Sequence, residues 1–135
     1  MNPCLDMVLR LLLAVALGAG IGFQRERAHK AAGLRTHILI SLGAALFTVV
    51  SIFGFSGTFD PARVAAGVVA GVGFIGAGVI FRGMTGEGVA GLTTAASIWA
   101  AAAVGLAAGA IVDHPWHLLH RLGAGLWRHD DECTP

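Results

Sequence analysis

The side chains able to do chemistry in this 135-residue chain are concentrated in residues 23–37, FQRERAHKAAGLRTH. Arg25, Arg27, Lys30 and Arg35 are four of the nine basic residues in the chain, and Glu26, His29 and His37 stand among them. A guanidinium presents a planar fork of donors that fits carboxylates and phosphates. Histidine changes charge near neutral pH. The stretch could therefore be a catalytic site, a nucleic-acid patch or the anchor of a membrane protein. A pairing of His37 with Ser41 or Ser97 would have the residue types of acyl transfer. Nothing in the spacing of these residues supports that pairing, and hydrogen bonding between helices is the better account of the serines.

Other motifs carry less. His117 and His120 are three apart, a helical metal spacing, but no carboxylate or cysteine is placed to complete a site. GVGFIG, residues 71–76, satisfies the dinucleotide fingerprint G-x-G-x-x-G. It lies inside an apolar run with no Asp or Glu at positions 90–98, so it reads as helix packing. Cys4 and Cys133 form no CxxC or metal spacing. The net charge of +1 gives no general attraction to nucleic acid. No catalytic residue, metal site or cofactor is expected.

The elements that must position these groups are apolar. The chain is 56% hydrophobic and 13% charged, against about 25% charged residues in soluble domains. Apolar runs cover about 7–23, 37–55, 64–81 and 89–112. Each approaches the ~20 residues that a spanning helix needs. Helix is the default in lipid because backbone groups must be satisfied within the segment. The expectation is an all-α membrane protein of four tightly packed, glycine-rich transmembrane helices over residues 1–112. Residues 113–135 would form a tail, either an interfacial helix or disordered. A cleavable signal peptide is the competing reading of the first run. The basic cluster follows that run, as a stop-transfer flank does, and favours a retained helix.

Basic residues also set orientation. The joint over 24–36 carries the cluster, whereas the next two carry only Arg63 and Arg82. The first joint is thus expected in the cytoplasm, with the N-terminus outside. Asp60-Pro61 supplies an N-cap and a first-turn proline for the third helix, and Thr36 offers a cap for the second. The 20 glycines fall mainly inside the runs, where they let helix backbones approach closely in lipid. Gly18/Gly22, Gly67/Gly71 and Gly105/Gly109 have GxxxG spacing. Gly73, Gly76 and Gly78 add further small faces, which suits a third helix at the centre of the bundle. Thr93 and Thr94 can bond within or between helices. A homodimer through Gly67/Gly71 or Gly105/Gly109 follows from spacing alone.

Three segments, RERAHKAAGLRTHILISLGAALF, DPARVAAGVVAGVGFIGAGVIFRG and GLTTAASIWAAAAVGLAAG, together resemble the MgtC/SapB family of bacterial inner-membrane proteins. The resemblance runs from about Arg10 to Gly109. It implies a compact bundle, commonly of five helices, often followed by a cytoplasmic domain. It also implies a role in growth at low magnesium, in survival within macrophages and in restraint of the F-type ATP synthase. The positions matching the polar motif are Arg25, Glu26, Arg27, Gly33, Leu34, Arg35, Thr36 and His37. Asp60, Pro61 and Arg63 match the outer joint, Gly71, Gly73, Gly76, Ala77 and Gly78 the packing helix, and Leu92–Ala96 the fourth helix. Gln24 stands where the family usually has Glu, and Gly67 where it usually has Gln. The histidine-rich tail takes the place of the fifth helix. The resulting expectation is a non-enzymatic regulator contacting membrane lipids and another inner-membrane complex. The alternative is a magnesium transporter or channel subunit.

Overall fold

The computed structural model describes residues 3–54, 60–82 and 88–111. The expected tail at 113–135, with its histidines and Cys133, lies outside the described residues.

Four helices account for most of this structure: α1 (Pro3–Arg27), α2 (Leu34–Phe53), α3 (Pro61–Gly78) and α4 (Leu92–Ala110). Several run past the apolar windows that announce them. Those windows measure bilayer thickness, whereas Gln24–Arg27 are good helix formers that carry α1 on into polar surroundings. The basic Arg25 and Arg27 also complement the negative end of the helix dipole. Helices α1, α2 and α4 are each long and apolar enough to cross a membrane, and the architecture is that of an all-α membrane protein. The third helix is apolar and lies three residues earlier than the expected 64–81 run. It stops at Gly78, and Phe81–Arg82 (β1) pairs antiparallel with Val89–Ala90 (β2). This two-residue ribbon was not legible as a strand pattern. It leads to Gly91, whose positive φ of 88° turns the chain into α4, and a Cβ there would overlap the Val79 carbonyl.

The central helix is α2, not α3. Both of its neighbours lay glycines against its backbone. From α1, a Cβ at Gly18 would sit 2.8 Å from the His37 oxygen and from the Ser41 Cβ, and one at Gly22 would sit 2.7 Å from Leu34 Cα. From α4, Gly105 packs on the Ser41 carbonyl, and Gly109 lies where a Cβ would be 2.7 Å from the Ala45 oxygen. The core between them is built of small side chains: Ala14, Ala45 and Ala108 in one cluster, and Ala44, Ile98 and Ala102 in another. Ser41, fully buried, donates across to the Ala14 carbonyl at 2.8 Å.

The expectation of a central third helix is therefore corrected. Gly67, Gly71, Gly73 and Gly78 have open space where a side chain would project, and only Gly76 packs, against Ala95 at 3.6 Å. Glycine number did not predict burial. What decides burial is whether the glycines fall on the stripe that meets a neighbour, as Gly18/Gly22 and Gly105/Gly109 do.

At the end of the bundle away from the charged joint, Arg10 is buried to 5% exposure. Its Nε donates to Asp6 at 2.6 Å and its Nη1 to the Gly109 carbonyl at 3.0 Å, with the guanidinium 5.4 Å from the Phe53 ring centre. This clasp joins the start of α1 to the ends of α2 and α4.

Glycine substitutions separate the two kinds of position. Gly105→Ala should destabilise the protein by about 1–3 kcal/mol, the usual cost of overpacking. Gly71→Ala, with nothing in its way, should be neutral or stabilising by up to about 1 kcal/mol through helix propensity. Thermal unfolding of both variants in detergent checks the contrast.

Candidate functional site: the polar joint between α1, α2 and α4

The expected joint at 24–36 is mostly helix. Only Ala28–Gly33 lies between α1 and α2. The chain reverses there through a Schellman turn: Lys30 N–H donates to the Arg25 carbonyl and His29 N–H to that of Glu26. His29 occupies the left-handed position of this turn with φ 51°, a place more often held by glycine.

Three hydrogen bonds then tie the elements together. Glu26 Oε2 accepts from the Leu34 backbone N–H at 2.8 Å. The N-cap residue of α2 is Gly33, which has no side chain to do this. The carboxylate of the preceding helix thus acts as the cap, and negative charge sits at the positive end of α2. Thr36, expected as a possible cap, does not serve as one. Second, Arg25 Nη2 donates to Thr94 Oγ1 at 2.7 Å, joining α1 to the first turn of α4. The Arg25 Nε beside it is buried without a partner among the described residues. Third, the fully buried His37 bridges α2 and α4. Its Nδ1 lies 2.8 Å from the Gly33 carbonyl and its Nε2 lies 3.1 Å from Ser97 Oγ.

The His37–Ser97 pair is thus real, although 60 residues separate its members. Its geometry is that of a helix joint. Ser97 Oγ is 2.9 Å from the carbonyl of Thr94 in its own helix, and His37 has no exposed surface on which a substrate could reach it. A nucleophile needs an accessible reacting atom beside its base. Ser41, the other serine considered, is spent on Ala14.

The arginines divide by role. Arg25 is structural, half-buried and bonded. Arg27 is exposed and stacks on Phe23 of its own helix, 4.4 Å from the ring centre. Arg35 is exposed, with no hydrogen bond or ion pair among the described residues, and Lys30 is exposed beside them. Of the fourth-helix pair, Thr94 is buried in the network and Thr93 is exposed. Asp60 caps α3 as expected, accepting from Ala62 N–H at 2.9 Å, and Arg63 is exposed one turn on. These two lie away from the joint and are not gathered with it. Sequence reasoning missed the Arg10–Asp6 clasp, although the i,i+4 spacing of opposite charges in an apolar helix was a signal. It also missed the partnership of Arg25 with Thr94, for which no local signal exists.

Residues 11–113 match the family described as the MgtC family. Protein MgtC of Brucella abortus (strain 2308) is 50% identical over 102 residues, 75% of this chain and 42% of the relative. "Putative magnesium transporter YhiD" of Escherichia coli (strain K12) is 47% identical over 111 residues, 77% of this chain and 51% of the relative. Protein SapB of Bacillus subtilis (strain 168) is 44% identical over 112 residues, 78% and 48% of the two chains. The chain therefore spans about half the length of these curated relatives. No solved structure matches.

Removing the cap and the clasp should cost stability separately. Glu26→Ala is expected to lose about 1 kcal/mol, the worth of a helix cap. Thr94→Val keeps the shape but deprives a charged donor of its acceptor, and should lose about 1.5–3 kcal/mol. Denaturant or thermal unfolding of the two variants and of the double variant measures both terms and their coupling.

Proposed function

The chain belongs to the MgtC family, and from that premise we propose that it is a non-enzymatic, multi-pass protein of the bacterial inner membrane that supports adaptation to low magnesium by acting on another membrane complex. The F-type ATP synthase is the candidate complex. The joint between α1 and α2 would face the cytoplasm, where the positive-inside bias puts a cluster of Arg and Lys.

The observation that carries this reading is the division of labour at the joint. Half-buried Arg25 and the Glu26 carboxylate are committed to bonds that hold the bundle, while Arg27, Lys30 and Arg35 are exposed on the same short segment. A rigid base with outward cations suits recognition of carboxylates or anionic headgroups, worth about 1 kcal/mol per basic residue near an acidic surface. The helices offer a pathway for an ion little support. Magnesium requires oxygen ligands in near-octahedral array and sheds water reluctantly. In α2 and α4 several buried hydroxyls, those of Ser41, Thr48 and Thr94, are held in hydrogen bonds within the bundle. Transport remains the competing reading, and the printed name of the Escherichia coli relative favours it.

Two measurements test the proposal. Magnesium uptake into proteoliposomes should not exceed that of empty vesicles; saturable, protein-dependent uptake would establish transport instead. In cells lacking the native gene, Arg27→Lys with Arg35→Lys should impair growth at low magnesium while leaving the protein folded and inserted, because lysine keeps the charge and loses the fork. Full growth of that variant would reduce these arginines to topology anchors.

A further inference from the structure

Between α2 and α3 lies an open groove of about 380 Å³, and every residue lining it is apolar or glycine. Facing glycines usually let two helices touch, but these do not. Gly43 of α2 and Gly67 and Gly71 of α3 border the groove, and a Cβ on any of them would meet nothing within 4 Å. Buried Ala44 and Val72 give it a floor, and exposed Leu39 and Phe47 stand at its rim. From Leu39 to Phe47 the helix rises about 12 Å. That is close to the depth of one leaflet, half of a hydrocarbon core of about 30 Å. A spanning helix would need a groove of roughly the full thickness, whereas a single acyl chain needs only this half. The groove opens toward the end of the bundle that carries the charged joint. Arg35 and Thr36 stand one turn before Leu39 and Ile40, two of the residues that line it.

We propose that the groove is a site for one anionic phospholipid, with an acyl chain along Gly43, Gly67 and Gly71 and the phosphate at Arg35. The charges at the joint single out that arginine. Arg25 is bonded to Thr94, and Arg27 stacks on Phe23 of its own helix. The Glu26 carboxylate is held at the Leu34 N–H and makes no ion pair with Arg35. Arg35 is exposed, with its fork of donors free among the described residues, and exposed Lys30 adds positive charge in the turn just before α2. A guanidinium matches phosphate oxygens in pairs, and its long stem can lie on apolar surface while the head stays at the interface. An uncharged slot of leaflet depth with a free arginine one turn above it therefore fits both parts of the lipid. The inner leaflet is its source on the orientation proposed above; the binding itself does not depend on that orientation.

Native mass spectrometry of the full chain tests this, with the protein released from neutral detergent micelles that hold equal amounts of phosphatidylglycerol and phosphatidylcholine of the same acyl chains. One phosphatidylglycerol should be retained about fivefold over phosphatidylcholine, the ratio expected from one basic residue at an acidic headgroup. Arg35→Gln should erase that preference and leave phosphatidylcholine retention unchanged. Gly71→Leu puts a side chain into the groove and should lower retention of both lipids; Gly43→Leu, on the opposite wall, repeats the test if that variant does not fold. Glycerol phosphate, the headgroup without chains, should not displace the lipid. Equal retention of the two lipids by the natural protein overturns the proposal without any variant. So does displacement by glycerol phosphate, which would leave only a surface anion site, or a lipid-free dimer lost on Gly71→Leu, which would put a second copy in the groove. The assay reads binding to the isolated protein, so its failure strikes the lipid site and leaves growth at low magnesium as the separate test of the regulatory reading.

Discussion

Everything in this bundle depends on how closely two helices can approach the backbone of α2. In lipid, apolar side chains gain little by leaving the solvent for one another, so association rests on tight contact and hydrogen bonds. Around Ser41 the contact comes from both sides. Gly18 of α1 and Gly105 of α4 lie against the same residue, and its hydroxyl reaches the Ala14 carbonyl between them. The alanine core follows from this spacing. With backbones so near, the layers above and below are filled mainly by alanines, among them Ala14, Ala45, Ala102 and Ala108.

Polar side chains then close the two ends of the close-packed middle. At one end Arg10 binds Asp6 and the last turn of α4, and at the other Arg25, His37 and Ser97 bind α1 and α2 to the first turns of α4. Because α1 meets α2 and α4 with its opposite ends, it runs antiparallel to both. Each clasp satisfies groups that would cost several kcal/mol if left unpaired in hydrocarbon. Among the described residues the third helix has no such tie. It leans on the bundle through Gly76 and Val72 and leaves most of its glycines open.

This arrangement bears on function through what it leaves available. The bonds of Arg25 to Thr94 and of Glu26 to the Leu34 backbone tie down the joint between α1 and α2, so Arg27, Lys30 and Arg35 are presented from a defined frame rather than a floppy loop. A regulator that recognises another complex benefits from such a frame, since less conformational entropy is lost on binding. The open glycines of α3 are a separate feature, exposed to whatever surrounds the bundle.

The amino-acid sequence determined a good deal without help. Low charge and long apolar runs specified a helical membrane protein, Asp60-Pro61 specified where α3 starts, and the motifs specified the family, because each depends on composition or on residues adjacent in the chain. GxxxG spacing correctly marked Gly18/Gly22 and Gly105/Gly109 as close-packing positions but gave the same mark to Gly67/Gly71, since spacing defines a stripe and not which neighbour the stripe faces. Only the tertiary structure decided that α2 is central, that Glu26 caps a helix other than its own, and that Arg25 meets Thr94 and His37 meets Ser97. Those pairings join residues as many as 69 positions apart. Nothing local encodes them, because they arise from the crossing of whole helices.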